Sequence, residues 1–248
     1  MSKLVKRLQQ MGENSSPPIG FKASTLQFNR QMLLMASLSQ GESGMATQLN
    51  LAEVDALLLH GRDLNDKTAL QRIADGVGDT PWGVWLGAGG SLDLEELAEA
   101  GGDFVALDSS VASTALLHED VAKILRVSPF HERYVLSALS ELPVDVVLMD
   151  LGGEKADLTV ADIMHCQWLS SLVDKPLMVV AGHELSDKEI RLIRDVGVSG
   201  IVIEIGREDG KEVISRQSQI IRDLPPRTRK RSESHVFLPP IEVESDED

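Results

Sequence analysis

Three stretches of the chain share one cadence: a helix-like run, a tight turn, then a short apolar strand that ends in a carboxylate. They are LAEAGGDFVALD (97–108), LSELPVDVVLMD (139–150) and IRDVGVSGIVIE (193–204). Followed in both directions, the cadence yields eight strand-then-helix units, the number that closes a parallel (β/α)8 or TIM barrel. The strands fall at 32–38, 56–61, 82–89, 104–108, 122–128, 144–150, 176–182 and 200–206, and the helices are clearest at 66–76, 92–100, 131–142, 159–173, 186–196 and 210–223. Nearly continuous apolar strands suit a parallel sheet with helices on one face and barrel interior on the other. A doubly wound open sheet is the runner-up. It calls for fewer strands and a GxGxxG fingerprint after the first, which the chain lacks.

Local signals agree with these units. Ser186 precedes Glu189, and Asp93 precedes Glu96, by the three residues of a reciprocal capping box. Gly101 and Gly197 stand where a helix ends in a left-handed residue. Before the repeats, residues 2–13 place Leu4, Val5, Leu8 and Met11 on one face of a short amphipathic helix, followed by the turn-rich NSSPPIG and an extended IGFKAS that could plug or cover a barrel mouth. The expected organisation is therefore an N-terminal helix and extended segment (1–31), the barrel (32–224) and a tail (225–248). The tail runs from a basic cluster at Arg227, Arg229, Lys230 and Arg231 to a run of acids, and is too poor in apolar surface to offset its ordering entropy. Its apolar island HVFLPPI could dock on another subunit or protein as an extended peptide.

Composition narrows the function classes. A formal net charge of −15 on 248 residues argues against nucleic acid, whose phosphates call for a surplus of Lys and Arg. The longest apolar runs are strand-sized, so no membrane partner is expected. One cysteine, Cys166, excludes a disulfide framework and paired thiolate ligands, and points to a reducing compartment, most simply the cytoplasm.

In this architecture chemistry collects at the C-terminal ends of the strands. Those ends carry a polar ring: Ser37 and Gln40, His60 and Arg62, Gly87–Gly90, Asp108 with Ser109 and Ser110, Ser128, Asp150, Gly182 with His183 and Glu184, and Glu204 with Gly206 and Arg207. Strand alternation turns Ile201, Ile203 and Ile205 toward the helices, and so Val202 and Glu204 into the barrel; the same parity sends Ala106 and Asp108 inward. Val146, Leu148 and Asp150 share a face, but both faces of that strand are apolar and its direction stays open. Asp108, Asp150, Glu204 and His60 are the candidate catalytic residues, as acids, bases or ligands to a divalent metal; helix capping and structural ion pairs are the alternatives. Arg126, Arg62 and Arg207 are the candidate counter-charges. The glycine-rich GAGGSLDLEEL (87–97) opens a helix with exposed N–H groups, which makes Gly89 and Gly90 anion-site candidates.

The segment VVAGHELSDKEIRLIRDVGVSGIVIEIGREDGK (179–211) resembles the strand 7 to strand 8 quarter of the phosphate-binding (β/α)8 superfamily, which includes the indole-glycerol-phosphate synthase type and the flavin mononucleotide oxidoreductases. The match lies at Gly182, at Gly197 through Val202, and at Gly206 with Arg207. It implies a phosphate held by Gly182, His183, Gly206 and Arg207, and leaves flavin mononucleotide or a divalent metal open as cofactor. The departures are acidic: Glu184, Glu204 and Glu208 surround the implied phosphate and repel it. No lysine stands at the end of strand 6 for Schiff-base chemistry. Two functions follow. The first is an enzyme, of lyase, isomerase or oxidoreductase type, acting on a small phosphorylated or carboxylated metabolite. The second is a non-catalytic barrel that binds or assembles through its tail or N-terminal helix, as a homo-oligomer or with a protein partner.

Overall fold

The computed structural model describes residues 2–14, 30–38, 50–60, 67–87, 90, 92–128, 136–151, 157–205 and 210–225. Eight parallel strands follow one another around a closed barrel, with β8 returning to pair with β1. They are β1 (Leu33–Leu38), β2 (Ala56–His60), β3 (Trp82–Leu86), β4 (Phe104–Asp108), β5 (Ala122–Val127), β6 (Val146–Asp150), β7 (Leu177–Ala181) and β8 (Val198–Ile205). All eight expected strands are present. The helices are α1 (Lys3–Asn14), α2 (Lys67–Val77), α3 (Leu94–Glu99), α4 (Val160–Leu172), α5 (Asp187–Asp195) and α6 (Gly210–Arg222).

Helix ends obey the local chemistry. Ser186 and Glu189 form the reciprocal box at α5, and Thr159 with Asp162 forms another at α4. Asp93 accepts from the N–H groups of Glu95 and Glu96, but the return bond of a reciprocal box is absent there. Gly101 and Gly197 have φ of 86° and 111°, the left-handed conformation that ends α3 and α5.

Of the helix expected over 131–142, residues 136–137 are α-helical and run on into a 3-10 turn at Ala138–Ser140; residues 131–135 lie outside the described residues. Pro143 accounts for the early stop, because a proline disfavours helical backbone at the residue before it. Between β4 and β5 the covering element is also a 3-10 turn, Ser113–Leu117.

Strand alternation divides the core in two. Ile201, Ile203 and Ile205 join the cluster between strands and helices. Met35, Leu58, Phe104, Ala106, Leu148 and Val202 fill the barrel itself. That inner cluster also takes in Leu4, Val5 and Leu8 of α1. The amphipathic N-terminal helix is thus part of the barrel's core, and burying each of its leucines contributes about 1.5–3 kcal/mol. Its position at the N-terminal end of the barrel is set by Asp103, just before β4. The Asp103 carboxylate accepts from the Ser2 hydroxyl at 2.7 Å and from the N–H groups of Lys3 and Leu4 at 2.7 and 2.8 Å, capping the first turn from about a hundred residues away. Arg7 donates to the Asp55 carbonyl at the same end. The opposite, C-terminal end is left for function. IGFKAS and the tail beyond Pro225 lie outside the described residues.

Candidate functional site at the C-terminal mouth

Each strand that turns Met35, Leu58, Ala106, Leu148 or Val202 into the apolar interior turns its next inward residue toward the C-terminal rim. Two residues further on stand Ser37, His60, Asp108, Asp150 and Glu204; Trp85 on β3 and Arg126 on β5 complete the layer. The inward direction expected for Asp108 and Glu204 agrees with the cluster membership of Ala106 and Val202, and Leu148 settles the open direction of β6, placing Asp150 inward as well.

Arg126 sits at the centre of this layer. Register places it beside Asp108 on β4, and its guanidinium lies 3.5 Å from the Asp108 carboxylate. Its other terminal nitrogen donates to Asp150 on β6. The guanidinium carbon also lies 4.8 Å from the centre of the Trp85 ring, a cation–π geometry. Trp85 also stacks with His60, ring centres 4.9 Å apart and planes 23° from parallel. Nε2 of His60 meets the Ser37 hydroxyl oxygen at 2.7 Å. A continuous line of contacts therefore runs from Ser37 through His60, Trp85 and Arg126 to both aspartates. The three ion-pair side chains are 24–36% exposed, so each pair is screened and contributes about 1 kcal/mol or less.

Electrostatics set the state of His60. Burial is the largest influence and lowers its pKa below the ordinary 6.5; Glu204 pulls it upward, Arg126 pushes it down and Asp108 pulls it upward, with a net lowering. His60 is neutral at pH 7. In the window below 6.5 the unfolded chain binds the proton more readily than the folded one, so stability falls as the solution is acidified through it. His60→Asn is expected to remove that component: its urea-denaturation free energy should decline less than the wild type's between neutral pH and the lowered pKa. Parallel pH profiles for the two proteins would contradict the assignment.

The expected anion positions divide. Gly182 is exposed at the end of β7, and the next residue, His183, has a buried Nε2 without a hydrogen-bond partner. Glu184, expected to repel a phosphate there, is held in a two-pronged pair by Arg216 of α6 at 2.6 and 2.8 Å, and the hydrogen bond from Arg216 keeps its pKa below the usual range. Gly90 already donates its N–H to the Gly87 carbonyl at 3.0 Å. Gly89, Gly206, Arg207 and Arg62 lie outside the described residues. Among the described residues no group of three or more His, Cys, Asp and Glu side chains is arranged to hold a metal ion.

Two roles escaped the sequence. Ser37 stood in the polar ring without an assigned partner, although a hydroxyl sharing a face with Met35 in LLMASL was a signal. Trp85, an aromatic residue with no charge to mark it in the polar ring, contacts both His60 and Arg126.

No protein-family model matches the chain, and no curated protein matches it. Solved structures do. A chain of tryptophan synthase from M. tuberculosis shares 15% identity at a TM-score of 0.64, over 90% of this chain and 100% of that one. The tryptophan synthase alpha-subunit from Pyrococcus furiosus shares 11% at a TM-score of 0.57, over 76% and 97%. Thiamine phosphate pyrophosphorylase from the same organism shares 12% at 0.58, over 79% and 98%. At such identities the likeness is one of fold, and it shows this chain to have the TIM-barrel fold of those enzymes, as the segment around β7 and β8 leads one to expect.

Proposed function

We propose that this barrel is an enzyme that binds a small phosphorylated or carboxylated metabolite at its C-terminal mouth and transfers protons there. The observation that carries the proposal is the polar layer on the apolar interior. A packed barrel fills its layers with branched apolar side chains. Here seven strands instead bring Ser37, His60, Trp85, Asp108, Arg126, Asp150 and Glu204 to one rim. Arg126 has five donors, more than its two carboxylate contacts use, and supplies a positive contact for a ligand oxygen. Gly182 and His183, with Gly206 and Arg207, which follow β8 in the sequence, would hold the ligand's anionic group. The carboxylates of Asp108, Asp150 and Glu204 are the proton-handling groups, beside the neutral His60. Similarity in fold to a thiamine phosphate pyrophosphorylase supports a phosphate ester as the ligand class.

A second proposal, a non-catalytic barrel used for binding or assembly, is favoured by the pairing of Arg126 with both aspartates, which lets the acids satisfy one another without a ligand. Thermal unfolding of the full chain with inorganic phosphate, a triose phosphate, pyruvate, flavin mononucleotide and magnesium separates the two. A native-state ligand at a hundred times its Kd stabilises by about 2.7 kcal/mol, which for a domain of this size raises Tm by roughly 5–10 °C. The enzyme proposal expects such a rise with a phosphate or carboxylate compound and its loss in Arg126→Met. No rise with any compound would leave the assembly proposal standing.

A further inference from the structure

The contact between Ser37 and His60 decides what the imidazole can offer a ligand. Ser37 is only 2% exposed, in the layer beneath the mouth. Among the described residues its hydroxyl makes one hydrogen bond, to His60 Nε2 at 2.7 Å. A neutral imidazole carries one proton, so two arrangements are possible. In one, Nε2 donates to the Ser37 oxygen, and the serine's own proton is left buried without an acceptor, at a cost of about 1–3 kcal/mol. In the other, the serine donates to a bare Nε2 and the ring proton sits on Nδ1. The second satisfies every buried donor of the pair. Among the described residues Nδ1 has no hydrogen-bond partner, and it is not one of the buried polar atoms lacking one, His183 Nε2 and Gln217 Oε1, so it is open to solvent.

We propose that Ser37 is a positioning residue that donates its hydroxyl proton to Nε2 of His60, fixing the ring as the Nδ1–H form and turning a hydrogen-bond donor toward the mouth. Stacking on Trp85 holds the ring plane, so the Nδ1–H has a set direction. The charged groups that act on the ring are Glu204 from β8, Arg126 from β5 and Asp108 from β4, and burial outweighs them in keeping it neutral. The inference rests on the proposed ligand site and deepens it. His60 would not be a base, because its lone pair is occupied by Ser37. It would donate to an oxygen of a carbonyl, carboxylate or phosphate, as a neutral imidazole can when burial keeps it uncharged. Together with Arg126 it gives an acid-lined mouth a second donor for an anionic or polarised ligand, one that adds no charge.

The test is the nitrogen spectrum of the full chain with 15N-labelled histidine at pH 7.5, with the His60 resonances identified by their loss in His60→Asn. The expected wild-type pattern is a protonated, pyrrole-type Nδ1 and a bare, pyridine-type Nε2. In Ser37→Ala the Nε2–H form, which free histidine prefers, should become the major one, and Ser37→Thr should restore the wild-type pattern by restoring the hydroxyl. A protonated Nε2 in the wild type would overturn the proposal without recourse to any variant, and so would an unchanged tautomer in a folded Ser37→Ala. This outcome is independent of ligand binding. The thermal-shift series can fail while the tautomer stands, and a wrong tautomer leaves the ligand site to be judged by that series alone.

Discussion

Asp55→Ala is expected to destabilise the fold by about 3–5 kcal/mol, the cost of breaking a buried ion pair from one side. Asp55 precedes β2, and its carboxylate is engaged twice: by the Arg30 guanidinium at 2.7 Å and by the Leu34 N–H of β1 at 2.9 Å. The side chains of Asp55 and Arg30 are 5% and 13% exposed, so solvent cannot take over either role. Truncation to alanine strands a nearly buried guanidinium and a buried backbone N–H at once. Asp55→Asn keeps an acceptor for Leu34 and loses only the charge, so it should fall between alanine and wild type. Adding Arg30→Met to Asp55→Ala should recover part of the loss by removing the stranded charge, a coupling that a double-mutant cycle reads directly. Urea denaturation of the wild type, Asp55→Ala, Asp55→Asn, Arg30→Met and the double variant gives the order and the coupling. An Asp55→Ala protein within about 1 kcal/mol of wild type would show that the pair is not what holds β1 and β2 together at this end.

Gly83→Ala is expected to cost about 3 kcal/mol or more, at the upper end of what overpacking a core does. Gly83 is an inward position of β3, paired in register with Phe104 of β4. A Cβ there would stand 2.2 Å from the Phe104 carbonyl oxygen and 2.4 and 2.6 Å from two atoms of its ring. Phe104 is fully buried in the barrel interior, and the oxygen belongs to the backbone of a paired strand. Neither can yield without opening the β3–β4 pairing. Gly101→Ala provides the contrast: it meets nothing within 4 Å and is strained only by its φ of 86°, so its cost should stay near 1–2 kcal/mol. Denaturation midpoints compare the two directly. Equal losses would mean that backbone freedom, and not the space filled by Phe104, is why β3 carries a glycine.

Legibility in the sequence followed the range of the interaction. The strands could be read because each is a short apolar run between local punctuation, and Ser186 with Glu189 or Gly197 at φ 111° are local too. The helix expected over 131–142 is helical at 136–137 and ends in a 3-10 turn at Ala138–Ser140, short of the expected 142, because Pro143 disfavours helical backbone just before it. The N-terminal helix was recognisable by its apolar face, but not its destination. That depends on Asp103, whose carboxylate meets residues 2–4 only after four strands have been placed side by side.

The candidate site divides the same way. Alternation along a strand has a period of two whatever the neighbours are, so the inward parity of Asp108 and Glu204 was contained in FVALD and IVIEI by themselves. Which of the inward residues touch depends on the register between strands, and register is decided by the pairing of segments far apart in the chain. That pairing sets Arg126 opposite Asp108 and within reach of Asp150, and brings His60 between Ser37 and Trp85. The amino-acid order by itself determined eight units and a ring of polar side chains facing one mouth. Closure of the barrel decided that the ring is a connected network centred on Arg126, because only the stagger of eight paired strands puts those side chains within contact distance.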